Sequence, residues 1–291
     1  MKRHPRLRNP FALLFLTAGM FATLPASRGE SEAEKKLLPS FQEKQLFTEL
    51  RTGLKKFSDP DKKVVEENRK AIVATARYMA KRLEIAPYNG DEDTSAPAVK
   101  KEPSPTEDKP ITRLLREARE SMLDVSSVKG ATDDQLTFMN EYGKALEGEL
   151  MQVIKNSPRP IVRVNAARML AQTAKMPYVE IADSFVAILK TENELEAVKM
   201  VACEGLRETL QHSDRIEPKK LLILHPVKRA AISNALIHYV TRVEPKAATD
   251  LAVARVVQFF RRQGVRALGA TRHPVTRAAT TTAPPPPGPT P

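Results

Sequence analysis

Three short stretches between residues 158 and 242 repeat one arrangement: a basic residue, an apolar or small residue three positions on, and Leu seven positions on. The copies are Arg163/Ala166/Leu170, Lys199/Ala202/Leu206 and Arg229/Ile232/Leu236. Offsets of three and seven place the members of each triplet on one face of an α-helix, with small or branched side chains where a neighbouring helix must approach. Each copy therefore predicts one packing helix. The copies lie 36 and 30 residues apart, room for a helix, a turn and a second helix. Recurrence on that scale is the signature of an α-solenoid.

The first copy reads Pro160-Ile161-Val162-Arg163-Val164-Asn165-Ala166-Ala167-Arg168-Met169-Leu170. It resembles the second helix of a HEAT repeat, in which Pro or an acid is followed by Val-Arg, then Ala-Ala, then Leu. The second copy, Glu196 through Lys199 and Ala202 to Leu206, carries Lys where that family has Arg. The third, His225-Pro226-Val227-Lys228-Arg229, recovers both Pro and Arg after a short preceding segment. A plain helical bundle would also show apolar triplets at helical spacing; the repeated Pro-apolar-x-Arg opening speaks for repeats. The resemblance covers roughly half the chain. It implies a scaffold that binds another macromolecule, with no chemistry of its own; taken with the signal-like first 29 residues, the chain is expected to be an exported HEAT-repeat protein of bacterial type. It also implies that the second helices of successive repeats line one surface. Here that surface would draw on Arg163, Arg168, Lys199, Arg207 and Arg229, some of them spent on contacts between repeats.

Composition agrees with an all-α chain. Aromatic residues make up 5 % with no Trp, so Ala, Leu and Val carry the apolar pattern, which suits helix-on-helix packing better than a sheet sandwich. The single cysteine, Cys203, excludes an intrachain disulfide and a cysteine-based zinc site. It falls inside the second repeat helix, as a small buried residue does.

The formal charge of +12 is not spread evenly. The first 29 residues contribute Lys2, Arg3, Arg6, Arg8 and Arg28 with no acid, and Arg266, Arg272 and Arg277 lie in an acid-free end, leaving +4 for residues 30–263. Phosphate contacts need clustered Lys and Arg, so nucleic-acid binding or base excision by a HEAT-like fold is the alternative function, not the leading one.

The basic start, the apolar run from Phe11 to Leu24 and the small residues Ala26, Ser27 and Gly29 have the layout of a secretory signal peptide at 1–29. A mitochondrial presequence is the lesser alternative, because the apolar block is continuous rather than amphipathic. As a helix the run would reach about 21 Å, short of a ~30 Å hydrocarbon core, so no stable membrane span is expected there. Residues 30–86 predict a helical hairpin, with Phe47, Leu50, Leu54 and Phe57 on one helix and Val65, Ile72, Met79 and Leu83 on the other. Ser58-Asp59-Pro60 is the expected cap of the second.

Residues 87–110, with Pro97, Pro103, Pro105 and Pro110 among charged and small residues, predict a disordered linker. Its Asp91-Glu92-Asp93 lacks the closing Glu of a calcium loop. The repeats occupy 111–263, opening with a helix bearing Leu114, Ala118 and Met122 and then a capping box at Thr132–Gln135. A disordered Thr/Pro-rich tail follows over 264–291. His4, His212, His225, His238 and His273 are scattered without the i, i+4 spacing of a helical metal site, and no glycine-rich phosphate loop is present. Glu117 and Glu120, beside Arg113 and Arg116, read as a solvated charged face. No catalytic residue, metal site or cofactor is expected. A site assembled from separated helices is the one form an enzyme would take in such a chain.

Overall fold

The computed structural model describes residues 32–90, 109–122, 131–215, 224–242 and 251–271, and these are all-α. The helices are α1 (Glu32–Leu37), α2 (Phe41–Thr52), α3 (Lys62–Lys81), α4 (Pro110–Ser121), α5 (Asp133–Asn156), α6 (Pro160–Thr173), α7 (Ile181–Lys190), α8 (Glu196–Arg215), α9 (Pro226–Thr241) and α10 (Leu251–Gly269), with a 3₁₀ turn at Arg82–Glu84. The expected signal segment, the residues 91–108 of the linker and the tail beyond Thr271 lie outside the described residues.

Local chemistry starts these helices. Thr132 Oγ1 accepts from the Gln135 N–H at 3.3 Å while Gln135 Oε1 accepts from the Thr132 N–H at 3.0 Å, the reciprocal box read from the sequence. Ser40 and Glu43 form a second box at the start of α2. Pro occupies the first turn of α4, α6 and α9, where its missing N–H costs nothing. Asp61, rather than Ser58, caps α3 by accepting from the Lys63 N–H at 2.9 Å. Gly53, at φ 73°, stops α2 one turn earlier than the apolar pattern implies. Leu54 is consequently 82 % exposed instead of continuing the buried stripe.

The helices stack in two layers. One holds α3, α5, α7 and α9 side by side, and the other holds α4, α6, α8 and α10. Successive helices pair across the layers, α5 with α6, α7 with α8 and α9 with α10, while α2 lies over α3 and α5. A helix inside such a layer has neighbours on both flanks and one across. That is why α6 buries Val162, Ala166, Ala167, Met169 and Leu170 around most of its circumference. Full burial of a Leu such as Leu170 or Leu206 is worth about 1.5–3 kcal/mol.

One hydrophobic core runs from Phe47 to Ala267. The 30–86 segment is part of it: α3 lies along α5, and the Phe47 ring on α2 meets Phe138 and Tyr142 of α5 edge-on at 5.3 and 4.9 Å.

Two sequence expectations change. The third triplet, Arg229/Ile232/Leu236, lies on α9, in the layer of α7 and not beside α6 and α8. The helix expected to precede it, at 216–224, falls almost wholly outside the described residues. Secondly, Gly264 does not end the last helix, which continues to Gly269 with Ala267 fully buried. A Cβ at 264 would stand 2.7 Å from Val240 Cγ2 and 3.2 Å from Tyr239 Cδ1, so this residue is a close-approach position between α9 and α10.

Candidate interaction surface

The five basic residues predicted to line a partner surface divide into two groups. Arg163 on α6 is ion-paired to Glu194, in the turn leading into α8. Lys199 on α8 is 0 % exposed; its Nζ donates to the Glu192 carbonyl at 3.0 Å and stands 3.5 Å from Glu196 Oε1. Arg229 on α9 donates to Ser213 Oγ of α8 at 2.9 Å. All three are engaged in contacts within the stack, and Lys199 is closed off from solvent altogether. The cause is packing: a long cationic side chain near a helix start reaches the acids and carbonyls of the adjoining turn.

Arg168 and Arg207 remain on the outside. Arg168 is exposed on α6, 3.5 Å from Asn165 Oδ1, and Arg207 is half-buried on α8, 3.2 Å from Glu208 Oε1. Both stand on adjacent helices of one layer.

The polar clusters that the sequence did not single out are ties as well. Arg82 is buried between the rings of Tyr78 and Tyr88, its guanidinium carbon 5.1 and 4.7 Å from their centroids. It contacts Glu34 of α1 at 2.8 Å and donates to Glu117 of α4 and to the Tyr88 hydroxyl. Glu117 is therefore not on a solvated face. Burial alone would raise its pKa, but hydrogen bonds and charge from Arg82 and Arg113 outweigh that and hold the carboxyl below the ordinary range. On the other side of the stack, Glu147 of α5 accepts from Tyr178 and from Ser184 of α7. Glu196 of α8 accepts from Tyr239 and Arg242 at the end of α9.

Each of these clusters is closed by a neighbouring helix. Cys203 is fully buried, and burial pushes its thiol up to about 12, far from a reactive thiolate. His238 is exposed on α9, and His225 caps that helix, its Nδ1 accepting from the Val227 N–H at 3.3 Å. Among the described residues no group of His, Cys, Asp and Glu is placed to hold a metal ion, and no helix is long and apolar enough to cross a membrane. Grooves open on the described surface. One of about 460 Å³ between α3 and α5 has an apolar floor of Ile72, Val73 and Ala145, with the pair Arg69–Glu141 among its lining. Another, about 390 Å³, lies beside α4 and α6, with Arg116, Arg119, Gln172 and Lys175 around it. Neither gathers an acid, a base and a nucleophile.

Comparison with protein families, with characterised proteins and with solved structures returns no match for this chain.

Proposed function

We propose that this chain is an exported, non-catalytic α-solenoid scaffold of HEAT-like type that binds a protein or cell-envelope partner. The observation that carries the reading is the two-layer stack, in which helices alternate between layers and each packs on its neighbours in the layer and across it. Such a stack offers long helical faces. Arg168 and Arg207, outward on α6 and α8, are the members of the predicted surface that stay available to a partner. The signal-like layout of residues 1–29 supports export.

Two measurements test this. The chain used as bait in an extract of its source should capture a saturable partner, and charge reversal at Arg168 and Arg207 should weaken the capture. Unchanged binding in the double variant sinks the surface assignment. Fusing residues 1–32 to a reporter should export it; retention in the cytoplasm would remove the export reading and favour a nucleic-acid partner.

A further inference from the structure

Among the described residues, α9, Arg242 and α10 hold seven basic side chains and no acid, whereas residues 131–215 sum to −3. Neither α9 nor α10 contains a carboxylate.

Helix α10 shows this charge to solvent. Arg255, Phe259, Arg262 and Arg266 follow one another at steps of four, three and four, a single stripe, and all four are exposed. Val256 flanks the stripe on one margin and Leu251 and Val265 on the other; these three and Phe259 are 51, 70, 55 and 52 % exposed. The opposite side of α10 is occupied, since it packs on α8 and α9. Large apolar residues left in water over one helix face mark a contact surface.

We infer that the α10 face docks on an anionic lipid surface. The inference rests on the scaffold reading above and adds to it a second surface, separate from the Arg168 and Arg207 face on α6 and α8. The layout of the face selects among occupants. A second copy of the chain would set one arginine stripe against another. A protein interface places apolar groups at its centre and charge at its rim, whereas here the guanidinium groups occupy the centre, and a protein partner would have to strip water from all of them. A headgroup layer supplies phosphate oxygens and water to the arginines while Phe259 and Val256 enter the boundary with the acyl chains.

The test uses the chain from Glu30 onward, which keeps every described helix and removes the apolar run at 11–24. Binding is measured by co-sedimentation with vesicles of equal parts phosphatidylglycerol and phosphatidylcholine, and with phosphatidylcholine alone. The chain should bind the anionic vesicles only, less as salt is raised. The variant Arg262→Glu/Arg266→Glu should bind about thirtyfold more weakly, or worse. Phe259→Ser should weaken binding with its charge unchanged, and Arg168→Glu/Arg207→Glu should bind as the parent does. Circular dichroism verifies that each variant keeps its helices. No preference for anionic vesicles, or full binding by the α10 variants, overturns the inference. So does a dimer dissolved by Arg262→Glu in light scattering, or binding to polyglutamate without binding to vesicles. Loss of vesicle binding only in the Arg168/Arg207 variant also overturns it, and leaves the partner surface of α6 and α8 standing.

Discussion

Gly205 on α8 faces the Phe185 ring of α7 so closely that a Cβ would lie 2.3 Å from Cζ. The ring is itself fully buried and has nowhere to go. Gly205→Ala should therefore destabilise the chain by about 1–3 kcal/mol through overpacking, read as a lower denaturation midpoint. Gly148, inside α5, has nothing within 4 Å of an added Cβ. There the same substitution should stabilise by about 0.5–1 kcal/mol, because only the backbone entropy changes. Equal effects at the two positions would contradict the packing described. Residue-scale features of this kind were partly legible in the sequence. The Thr132–Gln135 box announces itself by spacing, and Cys203 by its apolar neighbours. That Lys199 is buried was not legible, because its satisfaction depends on the Glu192 carbonyl and on Glu196, which a helix pattern treats as solvent-facing.

At the scale of elements, the Arg82 cluster joins α1, the 3₁₀ turn and α4, which are far apart in sequence. Arg82→Met removes the cation and leaves Glu34 buried without it, at a cost of about 3–5 kcal/mol. Glu117 adds a pH dependence whose sign is fixed by its depressed pKa. A carboxyl held below its unfolded value contributes in full above that value, and its contribution is lost as pH falls through the folded one. Thermal melts should thus show a drop in stability on acidification below the ordinary carboxylate range, with a shallower drop in Glu117→Gln. An acid limb of equal depth in that variant would assign it to other groups. Helix existence was legible here, since the apolar spacing of α5, α6 and α8 matches their buried faces, whereas α3 buries Ile72 with small and polar residues and leaves Val65 and Met79 half-buried. Layer membership was not. A triplet at offsets three and seven says that one face is covered and does not say by which helix, and so Arg229 was grouped with Arg163 and Lys199 although α9 packs on α7 and α10.

For the whole molecule, the continuous core makes a definite demand on truncation. A chain beginning at Ile111 would bare the α5 face that carries Phe138, Met139 and Tyr142, and it should lose its cooperative melt. Limited proteolysis is expected to cut first between Asp91 and Asp108, where Pro and charge leave little to bury, and the two pieces should still co-elute because α3 remains packed on α5. Separation of the pieces would mean that the hairpin and the stack are independent. Cys203 gives an internal gauge: its thiol should resist a disulfide reagent until denaturant unfolds the stack, and then react in step with the loss of helicity.

The charge on the last two helices acts before any contact is made. Seven basic side chains and no acid on α9, Arg242 and α10, beside a net −3 over residues 131–215, give the α10 face a positive potential of its own. An anionic surface draws such a face toward it while the molecule is still diffusing. The screening length at physiological salt, about 8 Å, sets how near it must come before the pull is felt.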